Sequence, residues 1–206
     1  MLAAFIDGPA RVRLHLPPPL DRPMALRKAD GGLAMYDGDD RVATAVPLPM
    51  ELDVPRAPSV PQAEDAATRY ACYENHVFPT CFVCGPGRPA HDGLAIYAGP
   101  TDGARLFASP WRPAPDLLDT AGRVRPEICW AALDCPGYFA CMGDDIRPAV
   151  LGELQAELMQ PVPGDRPLVV YAWPIGGEGR KRYAGSALAD ADGRVLARAR
   201  ATWILL

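Results

Sequence analysis

The run Pro126-Glu-Ile-Cys-Trp-Ala-Ala-Leu-Asp-Cys-Pro-Gly-Tyr-Phe-Ala-Cys-Met142 constrains this chain more than any other stretch. It is the one long apolar segment that reads as a fully buried helix. One carboxylate, Asp134, lies in its middle, and Pro136 follows two residues later. A carboxylate buried without a partner is costly, so such a residue either caps freed backbone amides or is kept for chemistry. A proline inside a helix removes a donor and clashes with the carbonyl four residues back, here that of Ala132. The acid and the break coincide, which marks the segment as the place to look for a function. Pro126 suits the first turn of the helix, and Glu127 sits beside the positive end of its dipole.

Length and charge set the outer limits. A chain of 206 residues with 49% apolar and 22% charged residues can bury a real core in one large domain or two small ones. The net charge is −4 with scattered arginines, so there is no basic stripe of the kind nucleic acid requires. No apolar run reaches the roughly 18–20 residues that span a bilayer. The first residues, Met-Leu-Ala-Ala-Phe-Ile-Asp, lack the basic region of a signal peptide. The expectation is a cytoplasmic protein whose six cysteines, Cys72, Cys81, Cys84, Cys129, Cys135 and Cys141, are reduced.

Most of the remaining chain reads as strands. Residues 10–16 alternate in polarity, and segments 24–28, 32–36 and 41–46 follow across Asp- and Gly-rich turns. The proline-rich stretch 47–62 reads as a linker and residues 63–75 as a short helix. Strands are expected near 93–98 and 104–109, then a loop over 110–125 before the buried helix. The chain closes with strands near 150–160, 167–175, 182–190 and 194–204, the last two joined by Asp190-Ala-Asp-Gly193. One long helix among antiparallel strands is an α+β layout.

This order, with particular residues, resembles the hotdog fold, in which a curled antiparallel sheet wraps one long central helix. Cys81-Phe-Val-Cys-Gly85 followed by Gly93-Leu94 is similar to the opening Cys-Phe-x-Cys-Gly…Gly-Leu of hotdog thioesterase-like proteins. Trp130-Ala-Ala-Leu-Asp134 is similar to a stretch of their central helix, and residues 185–204 resemble their closing hairpin. The resemblance covers about residues 76–206. Residues 10–46 resemble the closing strands of a second hotdog unit and Met1–Phe5 the tail of its helix. Residues 1–52 thus form a partial unit lacking its opening strand and most of its helix, or else an extension of the main sheet, with 53–75 as a linker containing a short helix. Either the true start lies upstream or a partner chain completes that unit. A homodimer or a pseudo-dimer is implied.

What the resemblance implies about chemistry follows residue by residue. In thioesterases of the phenylacetate-pathway type, an Asp on the central helix acts as nucleophile or general base toward an acyl-CoA thioester. Asp134 matches it, and Glu127 is the second carboxylate, since some relatives carry a catalytic Glu on this helix. Amides at the helix start, 126–129, are expected to polarise the carbonyl. Arg125-Pro-Glu127 stands where the family carries His-Gly-Gly, however, and proline offers no amide. Trp130, Tyr138 and Phe139 are the expected acyl-tunnel lining, and Arg180 and Lys181 the grip on the coenzyme A end. Coenzyme A enters only as part of the substrate, with no separate cofactor. The expected function is thus acyl-CoA hydrolysis, against a non-catalytic acyl-binding or structural protein in which Asp134 only caps.

Three other readings come from spacing alone. His76-x4-Cys81-x2-Cys84-x6-His91 offers thiolates and imidazoles at a spacing that suits zinc, but the opening motif it overlaps carries the same cysteines without needing a metal, so no metal is the expectation. Gly176-Gly-x-Gly179 is not a dinucleotide fingerprint, because strand sequence follows it rather than a helix. Gly185-Ser-Ala187 lacks the elbow of a serine hydrolase.

Overall fold

The computed structural model describes residues 2–29, 31–89, 91–103 and 105–206. Met1 of the expected helical tail, Asp30 of the first hairpin turn and Ala104 of the expected strand 104–109 lie outside the described residues. Among the described residues, ten strands form one sheet: β1 (Ala10–Leu14), β2 (Ala25–Ala29), β3 (Gly32–Asp37), β4 (Asp40–Pro47), β5 (Gly99–Pro100), β6 (Phe107–Trp111), β7 (Ala149–Leu158), β8 (Leu168–Glu178), β9 (Lys181–Asp190) and β10 (Val195–Leu205). Their order is β2-β3-β4-β1-β7-β10-β9-β8-β6-β5, antiparallel at every pairing. The N-terminal strands therefore continue the main sheet, because β1 pairs with β7 from Ala10–Ala156 to Arg13–Glu153.

The run that opened the sequence reading is two helices rather than one. Helix α2 spans Pro126–Ala132 and α3 spans Cys135–Met142, with Leu133 and Asp134 between them. Pro136, at the start of α3, has no amide to return to Ala132, so a continuous helix cannot form across it. The carbonyl of Leu133, freed at this break, is taken by the Ser186 hydroxyl of β9 at 2.6 Å. Gly137 brings α3 close to the sheet: a Cβ there would sit 3.3 Å from that of Ala184 and 3.5 Å from Trp203 Nε1.

Both faces of the central strands are buried, which explains the unbroken apolar run Leu168–Trp173. Leu168, Val170 and Leu188 face the broken helix, together with Phe139, Leu133 and Ile128. Val169, Tyr171, Trp173, Ala187 and Ala189 face the other way, against Ala63 and Ala66 of helix α1 (Val60–Ala67).

Three expectations change here. The stretch 47–62, read as a linker, is an extended strap fixed to that second face. Arg198 donates to the carbonyls of Met50 and Leu52 at 3.1 Å each, Gln155 to those of Leu48 and Pro49, and the Tyr171 hydroxyl to that of Pro55. Helix α1 starts earlier than 63 and stops well short of 75. Ser59 caps it in a reciprocal box with Gln62. Segment 93–98 is not a strand. Ala95 has a left-handed backbone (φ 51°), and the amides of Leu94 and Ile96 bond the loop carbonyls of Phe82 and Val83 instead of a neighbouring strand. No helix among the described residues is long and apolar enough to cross a membrane.

Candidate functional site

A cavity of about 630 Å³ opens where the N-terminal strands, the broken helix and the loop 72–84 meet. Leu14 and Leu16 wall it on one side, Val150, Leu151 and Ile204 on another, and Tyr138 and Phe139 on the helix side. Asp134, Cys135 and Trp203 also line it.

Asp134 stands at the N-cap of α3, just before its first residue, but makes no capping hydrogen bond. Its Oδ1 is sealed from solvent and has no hydrogen-bond partner among the described residues. The capping explanation for this acid therefore does not hold, since an acid that caps accepts from the amides beyond it. Burial, reinforced by the charge of Cys81, pushes its carboxyl up to about 7. Trp203 supplies a second unsatisfied group, its indole Nε1–H, and its ring meets Tyr138 edge-on at 5.3 Å. An unpaired acceptor and an unpaired donor thus belong to one apolar chamber. Orphaned buried polar groups are rare in folded proteins, and a chamber with two of them suits a polar ligand group that satisfies both.

Next to Asp134 lies a cluster of thiols. Cys81 Sγ is 3.6 Å from Cys135 Sγ and 3.5 Å from Cys84 Sγ, and all three sulfurs lie within 4.8 Å of one another. Cys81 gives up its proton most readily: the thiols of Cys135 and Cys84 donate to it, as do the amides of Cys84 and Val83. Cys135, which donates to Cys81, is correspondingly raised. His76 Nδ1 accepts the amide of Phe78 at 2.9 Å, which leaves the ring proton on Nε2, 3.3 Å from Cys84 Sγ. Burial lowers the His76 pKa and favours the neutral ring.

The structure thus gathers Asp134, Tyr138 and Phe139 at one cavity and leaves the other expected residues elsewhere. Glu127 is half-exposed and 3.6 Å from Arg125 in an ion pair. Trp130 packs in the core. Arg180 and Lys181 sit exposed at the β8–β9 hairpin tip. None of these four lines the cavity. The amides of Ile128 and Cys129, expected to face a substrate carbonyl, are taken by the carbonyl of Arg125 at 3.0 and 3.2 Å. Of the spacing-based zinc set, His76, Cys81 and Cys84 come together, whereas His91 is exposed in a loop at φ 68° and stands outside the cluster. Cys135 takes the place beside them. It was visible only as one more cysteine in an apolar run, and Trp203 only as a strand residue.

No family model matches the sequence, and no curated protein is similar to it. Solved structures do match. A thioesterase superfamily protein superposes with a TM-score of 0.50 at 15% identity, over 54% of this chain and 57% of that one. A phenylacetic acid degradation-related protein from Ralstonia eutropha JMP134 gives 0.48 at 19% identity, over 54% and 86%. Zebrafish thioesterase superfamily member 2 gives 0.45 at 15%, over 49% and 75%. The match to the first of these spans a little over half of that protein's length. The likeness to the first of these shows a hotdog-type fold, an antiparallel sheet packed on a helical segment that is here divided at Asp134.

Proposed function

We propose that this chain hydrolyses an acyl thioester, with an acyl-CoA as substrate, in the cavity beside Asp134. The observation that carries the reading is Asp134, a lining residue of an apolar chamber at a helix break, with one carboxylate oxygen buried and unpartnered. Such a group is costly to fold around, and a role in chemistry accounts for its retention. The acyl chain lies among Leu14, Leu16, Val150 and Ile204, and the thioester carbonyl takes up the Trp203 indole N–H. Asp134 removes a proton from water, the hydroxide adds to the carbonyl carbon, and the carbon–sulfur bond breaks. The proton held by Asp134 then passes to the departing thiolate, leaving a carboxylic acid and a free thiol. The negative charge that develops on the carbonyl oxygen is met by the indole donor, in place of the helix-start amides that Arg125 occupies.

The same reading takes residues 76–206 as the hotdog unit and residues 1–52 as a partial second unit, joined through the β1–β7 pairing so that Leu14 and Leu16 complete the cavity wall. Association of two such chains is a further part of it, measured by sedimentation.

The test is thiol release from a panel of short, long and aromatic acyl-CoAs, corrected for the chain's own six thiols. Asp134→Asn is expected to lower kcat by about 100-fold or more while the protein stays folded by circular dichroism. Equal rates for both proteins, or no release from any acyl-CoA, refute the assignment.

A further inference from the structure

We propose that Cys81, Cys84 and Cys135 form a zinc site whose fourth position opens into the cavity. The inference stands on geometry alone and is independent of the thioesterase reading.

Tetrahedral zinc with zinc–sulfur bonds near 2.3 Å holds its sulfurs roughly 3.8 Å apart. The two closest separations here are 3.6 and 3.5 Å, and the third falls within 4.8 Å, so an ion fits with small side-chain adjustment. These distances far exceed the roughly 2.05 Å of a disulfide. The sulfurs are brought together by a loop shaped to hold anionic sulfur. Residues 81–85 form a tight turn closed by the Gly85 amide on the Cys81 carbonyl at 3.0 Å. The amides of Val83 and Cys84 both point at Cys81 Sγ. Consecutive amides in such a turn make a concavity for a negative atom, a thiolate included. Gly85 is required there, because a Cβ would lie 2.4 Å from the Cys81 nitrogen and 2.5 Å from the Pro79 oxygen.

His76 belongs to the outer shell. Its Nδ1 is engaged with the Phe78 amide, so its Nε2 proton is directed at Cys84 Sγ and cannot give way to a metal bond. A donor to a ligating sulfur tempers the charge of a three-thiolate site. Among the described residues, no fourth His, Cys, Asp or Glu atom joins the group. All three cysteines line the cavity, so the remaining coordination position faces it and takes a solvent or ligand atom. Three protein ligands with one open position is the pattern of reactive rather than purely structural zinc. On binding, the ion displaces the thiol protons to solvent and ties the loop 76–85 to the helix break 54 residues downstream.

The full chain, untagged and reduced, is assayed for metal by elemental analysis and titrated with cobalt(II) after metal removal. The expected results are one zinc per chain, and thiolate-to-cobalt charge-transfer bands with the intense visible bands of a tetrahedral site. Cys135→Ser is expected to weaken zinc binding by more than about 100-fold, beyond the loss of an outer-shell partner. Cys141→Ser, outside the cluster, is expected to leave it unchanged. Absence of thiolate–cobalt bands in the reduced wild type overturns the site whether or not any variant folds. So does unaltered affinity in a folded Cys135→Ser protein, or a disulfide within the trio in protein prepared with zinc and reductant.

Discussion

Replacing Ser186 with alanine probes the helix break that holds Asp134 in place. The Ser186 hydroxyl donates to the Leu133 carbonyl at 2.6 Å, and Ser186 is 1% exposed and Leu133 fully buried. Alanine nearly preserves the volume, so the perturbation is the loss of one donor rather than a cavity. The Leu133 carbonyl is then left without a partner, because the amide four residues on, Gly137, already bonds the Asp134 carbonyl at 3.1 Å. A buried acceptor left unpaired costs about 1–3 kcal/mol. At this chain length each kcal/mol moves Tm by about 2–4 °C, so the expected fall is roughly 2–12 °C. The assay is urea unfolding followed by circular dichroism, where the midpoint should drop with the slope unchanged. A change below about 0.5 kcal/mol, the range of an indifferent surface substitution, refutes the claim that Ser186 completes the break.

Two further outcomes follow from the same geometry. Arg198→Ala removes the hydrogen bonds that hold the carbonyls of Met50 and Leu52, together with the ion pair to Glu157 at 2.8 Å. Limited proteolysis read by intact mass should then show faster cleavage within residues 48–58, and an unchanged cleavage pattern means that the strap is held by its apolar contacts alone. Arg180→Ala with Lys181→Ala tests whether the exposed hairpin tip grips the nucleotide end of coenzyme A. KM for an acyl-CoA should rise about 2–10-fold, the scale of exposed charge pairs, with kcat and the rate on an acyl-pantetheine unaffected; an unchanged KM removes both residues from the site.

The candidate site was legible in part. Asp134 stood out because an acid in the middle of an apolar run is anomalous at the level of sequence, and Pro136 announced the break beside it. The cysteines of the 81–84 pair were visible for a similar reason, as ligand types at short spacing. His91 shared that spacing but not the place, since spacing says nothing about the direction a loop takes. Glu127 and Trp130 were expected to act because they share a run with Asp134. Both lie in α2, before the break, where Glu127 stays in an exposed ion pair and Trp130 packs in the core.

By itself, the sequence determined the features that depend on neighbours along the chain. These are the closing strands and their turns, the first-turn proline of α2, and the conflict between a buried acid and a helix. Only the tertiary structure decided what lies against Asp134. Cys135 reaches Cys81 over a separation of 54 positions, and Trp203 of the last strand packs against Gly137 and Tyr138 just after the helix break. Ser186, rather than a capping side chain of the helix itself, satisfies the Leu133 carbonyl. Those pairings arise from how the sheet packs against the broken helix. Periodicity and turn chemistry act over a few residues and carry no record of it.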